Sequence, residues 1–372
     1  MEWVYTQPVK IYFGSRKITA LNKILKELNL KNGLLVSDPF FVSSGLAGDI
    51  VDYSKGLLID VFSEITPNPT VDNVDSCVKL INDKKIEFIA ALGGGSAIDC
   101  AKAAAGICTT LHPTTDYLIG KRKLGKDHLP LIAIPSTAGT GSEVTCVSVL
   151  SDPHRGIKAP LASESFYPSY AIIDPALTLS MPKHITASTG FDVLSHALEG
   201  FWSKNHQPIC DALALHASKL VFDNLLIAYE DGGNLSAREK MSEASVTAGL
   251  AFSLPMTAGV HACSYPLTNI YGMPHGEACA FVLDKFVEIN ADVENGRLHR
   301  FACQLGFFDA YEMSAKILEM KNQTCMKINL ADAGIDSSEI ENLAVLSMHP
   351  DILNNPVKMT IDKLIEMYRG LE

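Results

Sequence analysis

The sequence predicts two domains of different class, an α/β domain over residues 1–177 and an all-helical domain over residues 178–372. The first half alternates short apolar runs with helix-like segments, an order typical of a parallel sheet with helices on both faces. Beyond about Met181 the strand signals thin out, and long periodic segments rich in alanine and leucine take over. A chain of 372 residues is long enough for two cores of ordinary size.

Five short apolar runs are the strand candidates of the first domain. They are Ile11–Phe13, Gly33–Ser37, Leu57–Phe62, Phe88–Leu92 and Leu131–Ile134. Helices are predicted between them, over residues 17–28 and 71–84. Thr70 is the predicted N-cap of the second helix, because its hydroxyl can accept a hydrogen bond from a free amide of the first turn.

The second domain is predicted from helical periodicity. Its clearest helices are Ile185–Trp202, Pro208–Ala228, Ala237–Phe252 and Glu277–Ile289. The domain boundary is expected near Asp174 and Pro175, with further helices up to the C-terminus.

Composition narrows the class of partner and the compartment. A net charge of −11 argues against nucleic acid or an anionic membrane surface as a partner. No apolar run reaches the roughly 18–20 residues of a membrane span, and Met1–Lys10 does not resemble a signal peptide. The nine cysteines contain no Cys-x-x-Cys pair, which favours free thiols in a reducing compartment. We therefore expect a cytoplasmic protein.

Four residues of the second domain form a candidate metal site. Asp192 and His196 are four residues apart on a predicted helix, so they share one face. His261 and His275 could complete a set of one oxygen and three nitrogen donors, which suits iron(II), zinc or another first-row ion. An Asp-x-x-x-His pair also occurs as a surface ion pair or as a capped core histidine. The apolar residues around His196 argue for the metal, because an unpaired buried imidazole is costly.

A glycine-rich turn follows the strand candidate Phe88–Leu92. The run GGGSAID from Gly93 opens a helix, so its amides and the helix dipole can bind a phosphate. It lacks the third glycine of the dinucleotide fingerprint, since Ile98 stands there, and it is not a P-loop. A tight turn without a ligand is the alternative.

Two further polar features lie at the ends of strand candidates. Asp38 follows Gly33–Ser37, where a carboxylate can accept hydrogen bonds from ribose hydroxyls and repel a 2′-phosphate, which favours NAD(H) over NADP(H). Its alternative role is to cap the next helix. The segment 135–143 is rich in small hydroxyl residues and glycine, and it is either a ligand-binding loop or a flexible connection.

Together these segments resemble the iron-dependent alcohol dehydrogenases. The resemblance is carried by the four candidate ligands, by GGGSAID from Gly93, by PSTAGTGSEVT from Pro135 and by IIDPALTLSMP from Ile172. It implies a Rossmann-like parallel-sheet dinucleotide-binding domain, a helical metal-binding domain and an active cleft between them. Homodimers are common in this family, so a homodimer is compatible with the resemblance.

The resemblance also implies site residues. Asp192, His196, His261 and His275 are the expected ligands of Fe²⁺, which Zn²⁺ could replace. The expected cofactor contacts are Asp38, Asn68, Gly94, Gly95, Ser96, Asp99, Thr137, Thr140 and Lys158. Phe252 is expected to line the substrate pocket, and His261, His275 and Tyr265 are the expected catalytic residues.

One departure from the family pattern concerns Tyr265. Many members carry a histidine four residues after the third ligand, and in this chain that position is Tyr265, which can donate a hydrogen bond or shape the pocket. The run Ser-Tyr-Pro-Leu-Thr around it resembles members that reduce phosphonoacetaldehyde.

The expected reaction is reversible hydride transfer between NAD(P)H and a small aldehyde or primary alcohol. Phosphonoacetaldehyde reduction is an alternative within the family. A glycerol dehydrogenase or a dehydroquinate-synthase-like lyase is a second alternative, and a catalytically silent NAD-binding protein with a structural metal is a third.

Overall fold

The computed structural model describes residues 2–110 and 112–372, and residue contacts group them into two compact units. The first unit, here called the sheet unit, comprises described residues of 6–137 and 141–178. The second, the helical unit, comprises 179–372 with the short segments 2–5 and 138–140.

The strands of the described residues all lie in the sheet unit. They are β1 (Lys10–Phe13), β2 (Gly33–Ser37), β3 (Leu58–Phe62), β4 (Phe88–Gly93), β5 (Leu131–Pro135), β6 (Val147–Asp152), β7 (Ile157–Ala162) and β8 (Tyr170–Ile173). The helices of this unit are α1 (Leu21–Leu28), α2 (Pro39–Ser43), α3 (Leu46–Tyr53), α4 (Val71–Lys84), α5 (Gly95–Ile107) and α6 (Thr114–Leu118).

Six strands form one parallel sheet in the order β1-β8-β5-β4-β2-β3. Both faces are buried, because alternate side chains of a strand enter opposite layers. Leu34 and Val36 of β2 pack in one apolar cluster, whereas Leu35 packs in the other. The predicted α/β class of the first half is confirmed.

The helical unit contains α7 (Lys183–Trp202), α8 (Pro208–Glu230), α9 (Leu235–Phe252), α10 (Gly259–Asn269), α11 (His275–Asn290), α12 (Val293–Gln304), α13 (Ala310–Gln323), α14 (Ile340–Leu346) and α15 (Ile361–Arg369). Helix α7 is buried along nearly its whole length and packs against α8, α9 and α11. A helix that is buried on all sides lies in the centre of a helical core. The predicted helical class of the second half is confirmed.

Several elements differ from the sequence expectation. The antiparallel hairpin of β6 and β7 and the strand β8 were not predicted. The predicted helix 17–28 divides into a 3₁₀ turn, Lys17–Ala20, and α1. Helix α10 was missed because Pro266 lies inside it, and proline removes a backbone donor that helices normally use.

The N-terminus of α4 forms as predicted. The amide of Asn73 donates to the Thr70 hydroxyl at 3.1 Å, and the Asn73 side chain in turn accepts from the Thr70 amide at 2.9 Å. This reciprocal pair is a capping box, in which asparagine takes the place of the more usual glutamate.

In the described part of the chain, no helix has the length and apolar character needed to cross a lipid bilayer.

Candidate active site

Three helices of the helical unit bring the four predicted metal ligands together. Asp192 and His196 lie one turn apart on α7, His261 lies in the first turn of α10, and His275 begins α11. The Oδ1 atom of Asp192 lies 3.9 Å from Nε2 of His196 and 3.7 Å from Nε2 of both His261 and His275. The sequence therefore identified a set of side chains that the fold gathers at one point.

The donor set fits a divalent metal. Oδ1 of Asp192 is buried and has no hydrogen-bond partner among the described residues. The Nε2 atoms of His196 and His261 are only 3.1 Å apart, so two imidazole nitrogens face each other beside this unpartnered oxygen. A buried, unsatisfied carboxylate oxygen is costly, and a bound cation would satisfy it together with the nitrogen lone pairs.

The glycine-rich turn lies in the sheet unit, between β4 and α5. Gly93 has a φ of +153°, and a Cβ atom there would come within 2.6 Å of the Ala97 Cβ. Gly94 is the N-cap of α5, and a Cβ on it would contact the Thr137 side chain at 3.4 Å. The turn thus places the free amides of Gly95 and Ser96 at a helix N-terminus, the arrangement that binds phosphate groups.

The other predicted cofactor residues of the sheet unit are Asp38, the pair Asn68 and Lys158, and Asp99. Asp38 lies beside Gly93 and uses Oδ1 to cap α2, accepting from the Phe40 amide at 2.9 Å. The Lys158 ammonium donates to Oδ1 of Asn68 at 2.9 Å, so these two predicted residues are neighbours.

Asp99 uses its carboxylate within the sheet unit. It accepts from the Ser142 hydroxyl at 2.5 Å and from the Val149 amide at 2.9 Å. These bonds tie α5 to β6, which is a structural role that the sequence did not suggest. Thr140, the remaining predicted cofactor residue, groups with the helical unit.

Comparison with known proteins identifies the family. The sequence model of the iron-containing alcohol dehydrogenase family matches residues 8–175. The sequence model of this family's C-terminal domain matches residues 186–371. The chain belongs to the iron-containing alcohol dehydrogenase family. It is an enzyme that interconverts alcohols and aldehydes, as the resemblance in the sequence predicted.

Named relatives agree with this assignment over nearly the full length. Alcohol dehydrogenase 4 of Saccharomyces cerevisiae (strain YJM789) is 33% identical over 98% of this chain and 97% of its own. The 1-propanol dehydrogenase PduQ of Citrobacter freundii is 36% identical over 92% of this chain and 91% of its own.

Solved structures extend the comparison. The sulfoacetaldehyde reductase of Bifidobacterium kashiwanohense, solved in complex with NAD⁺, is 50% identical, with a TM-score of 0.97 over 100% of this chain and 99% of the other. A 1,3-propanediol oxidoreductase is 30% identical, with a TM-score of 0.94 and 100% of both chains covered. These relatives give no support to the glycerol dehydrogenase or dehydroquinate synthase alternative.

A buried glutamate orients one histidine of this alcohol dehydrogenase. Glu199 is 0% exposed, and its Oε2 accepts from Nδ1 of His261 at 2.5 Å. Its Oε1 accepts from the backbone amide of Val260 at 2.6 Å. Because Nδ1 must carry the hydrogen, the Nε2 lone pair of His261 points towards Asp192.

Sequence reasoning missed Glu199. The available signal was a single glutamate in the apolar run ALEGFW, seven residues after Asp192 on the same helix. Two helical turns place it near the same face, and a buried carboxylate there needs a partner.

Burial and charge favour the ligand forms of the two donors on α7, His196 and Asp192. Burial lowers the pKa of His196 to about 4, against an opposing effect of Asp192, so its imidazole is neutral near pH 7. Burial raises the pKa of Asp192, but His196, His275 and His261 together outweigh it and hold this pKa well below its usual value. A carboxylate anion and a neutral imidazole are the forms that bind metals.

Two neighbouring aromatic residues complete the site. The Phe252 ring stacks on the His196 ring, with centroids 4.1 Å apart and planes 8° from parallel. The hydroxyl of Tyr265 donates to Oδ2 of Asp351 at 3.0 Å, and the same oxygen accepts from the Thr257 hydroxyl at 3.2 Å. The His275 side chain is 34% exposed, whereas that of Asp192 is 4% exposed, so the set is open at His275.

We expect Glu199→Gln to weaken metal binding by about 10- to 100-fold, the usual effect of losing the carboxylate behind a histidine ligand. Chelator competition on the purified protein measures this. Glu243→Gln is the matched control, because Glu243 accepts from His216 at 2.9 Å in a partly exposed pair outside the site. Equal metal affinity in the Glu199→Gln and Glu243→Gln variants would contradict the role given to Glu199.

Proposed function

We propose that this alcohol dehydrogenase reduces a two-carbon aldehyde that carries a tetrahedral anionic group, of the sulfoacetaldehyde type, with NADH as the hydride donor. One observation carries the choice of substrate, the 50% identity and TM-score of 0.97 to the sulfoacetaldehyde reductase of Bifidobacterium kashiwanohense. The 1,3-propanediol oxidoreductase shares only 30% identity at a TM-score of 0.94. Phosphonoacetaldehyde has the same carbon skeleton and a similar head group, so it is the competing substrate.

We further propose that Asp192, His196, His261 and His275 hold one divalent ion, iron(II) in the native enzyme, with zinc compatible with the same donors. A bound ion would polarise the carbonyl oxygen and stabilise the alkoxide that forms. The protein would fix the positions of the four donor atoms. Glu199 orients His261, and stacking of Phe252 restrains the His196 ring.

The sheet unit is proposed as the dinucleotide-binding domain, and the helical unit as the metal-binding domain. In the sheet unit the amides of Gly94, Gly95 and Ser96 would bind the pyrophosphate, with Thr137 beside them. Asp38 would accept from the ribose hydroxyls and repel a 2′-phosphate, which favours NAD(H) over NADP(H). Bound NADH supplies the hydride, and these residues set its position.

Tyr265 is proposed as a positioning residue. Its hydroxyl hydrogen is directed to Asp351, which also accepts from Thr257. Burial raises the pKa of Tyr265, and the charge of Asp351 raises it further, so this phenol stays protonated near pH 7. It shapes the site and holds the 3₁₀ helix Pro350–Asn354, which carries Asp351.

The test is a substrate panel with the iron-loaded enzyme, in which NADH or NADPH oxidation is followed by absorbance with sulfoacetaldehyde, phosphonoacetaldehyde and propanal. We expect kcat/KM for sulfoacetaldehyde to exceed that for propanal by at least about tenfold, since a site built for a charged group discriminates strongly against its absence. We expect a similar preference for NADH over NADPH.

Each alternative has its own result in this panel. A higher kcat/KM with phosphonoacetaldehyde than with sulfoacetaldehyde would make the phosphonate the preferred substrate. Equal rates with propanal and sulfoacetaldehyde would refute an anionic substrate. Absence of turnover with every aldehyde, in protein that retains its metal, would favour the catalytically silent alternative.

A further inference from the structure

A cysteine lies against the proposed metal ligands. Cys279 follows His275 by one turn of α11, so the two side chains share a helix face. It is fully buried, and its Sγ lies 3.9 Å from Nε2 of His275. The thiol therefore belongs to the surroundings of the donor set, although no role for it follows from the proposed reaction.

The sulfur is close enough to share an ion with three of the four proposed ligands. Asp192, His261, His275 and Cys279 each offer one ligand atom, and these atoms all lie within 4.8 Å of one another. Adjacent ligand atoms of a four- or five-coordinate ion are roughly 2.8–4.0 Å apart, given bond lengths of about 2.0–2.3 Å to nitrogen, oxygen and sulfur. The sulfur-to-nitrogen distance of 3.9 Å is within this range.

A second observation points to a ligand at this place. Oδ1 of Asp192 is buried, has no hydrogen-bond partner among the described residues, and belongs to the same four-atom group as the Cys279 sulfur. A cation between them would satisfy the carboxylate oxygen and bring the thiol into bonding distance of the same ion.

We propose that Cys279 is a fifth, sulfur donor of this site, which loses its thiol proton to solvent and enters the coordination sphere as a thiolate when a thiophilic divalent ion such as Cd²⁺ or Zn²⁺ is bound. This inference rests on the proposed metal site. Soft thiolate ligands favour such ions, whereas carboxylate and imidazole also suit harder ions. The site would therefore hold Cd²⁺ more tightly than its Asp-His₃ set alone can explain, while Mn²⁺, a harder ion, would gain little from the sulfur.

The test is titration of the metal-free full-length chain with Cd²⁺, followed by the ultraviolet sulfur-to-cadmium charge-transfer band. Cys279→Ser should lose the band and bind Cd²⁺ at least about tenfold more weakly in chelator competition, with Mn²⁺ affinity little changed. Cys263→Ser is the matched control, because Cys263 is equally buried and lies two residues after His261, but its thiol interacts with Tyr368 and Ser347. This control should retain both the band and the affinity.

A measurement on the unaltered chain guards against a variant that fails to fold. The ¹¹³Cd NMR resonance of wild-type protein should lie in the range of mixed sulfur and nitrogen ligation. A resonance typical of nitrogen and oxygen ligands alone, or a charge-transfer band that persists in Cys279→Ser, would overturn the proposal.

The variant His261→Ala separates this inference from the metal site on which it rests. Stoichiometric Cd²⁺ binding that is lost in His261→Ala but shows no sulfur band in the wild type refutes only the role of Cys279. Cd²⁺ binding that is unaffected by His261→Ala refutes the metal site itself.

Discussion

His261→Ala is expected to release the metal and to lower kcat/KM by at least about a thousandfold, because polarisation of the carbonyl by an ion contributes several kcal/mol to catalysis. His261 is 4% exposed and stands between Asp192 and Glu199. Its loss removes one donor and also leaves Glu199 without the side chain that it orients. Metal content after dialysis and NADH oxidation measure the two effects.

The fold is expected to survive this substitution. Oε1 of Glu199 keeps its hydrogen bonds from the backbone of α10, including the 2.6 Å bond from the Val260 amide, so only Oε2 of the carboxylate loses its partner. Circular dichroism and a cooperative thermal transition check this point. His216→Ala is the control, because His216 is an exposed histidine paired with Glu243 and should change neither metal content nor rate. An active variant of His261→Ala without metal would refute the account.

Gly276→Ala is expected to destabilise the protein by about 3 kcal/mol or more and to weaken metal binding. A Cβ atom at Gly276 would lie 2.1 Å from the backbone oxygen of Ser188. Ser188 is on α7, four residues before Asp192, and Gly276 directly follows His275. Relief of the clash requires the helices to separate, which moves His275 away from Asp192 because both belong to rigid helices.

Thermal or urea unfolding measures the stability of this variant, and chelator competition measures its metal affinity. Gly48→Ala is the matched control, since a Cβ at this position of α3 would meet no atom within 4 Å. That change should be neutral or stabilise by up to about 1 kcal/mol, because alanine is the better helix former. A Gly276→Ala variant as stable as the Gly48→Ala variant would contradict the close packing of α7 against α11.

The candidate metal ligands could be predicted from the sequence because their side chains are typical metal donors and two of them are close in the chain. These two are one helical turn apart, and histidine in an apolar segment needs a partner. Glu199 and Cys279 were not recognised, because their significance depends on which residues α10 and α11 bring beside them. The position of a glutamate or a cysteine along a helix does not show whether its side chain is buried beside a metal ligand.

The secondary structure was likewise predictable where the signal is local and not where it depends on distant residues. The strands β2, β4 and β5 are fully buried and almost entirely apolar, so they could be predicted from the sequence. The hairpin of β6 and β7 is partly exposed and carries Pro160, and such strands have no clear apolar signal. Asp99 illustrates the limit of motif reasoning, because its carboxylate accepts hydrogen bonds from Val149 of the hairpin and from Ser142 in the 3₁₀ turn before it, neither of which was predicted.

The proposed reaction depends most on a single ion bound by the four predicted ligands. Anomalous diffraction at the iron edge, from crystals of the full chain loaded with iron without oxygen, tests this directly. We expect one strong peak within about 2.0–2.3 Å of Oδ1 of Asp192 and of a ring nitrogen of His196, His261 and His275. A chain that binds iron elsewhere, or whose four side chains surround no peak, would contradict it.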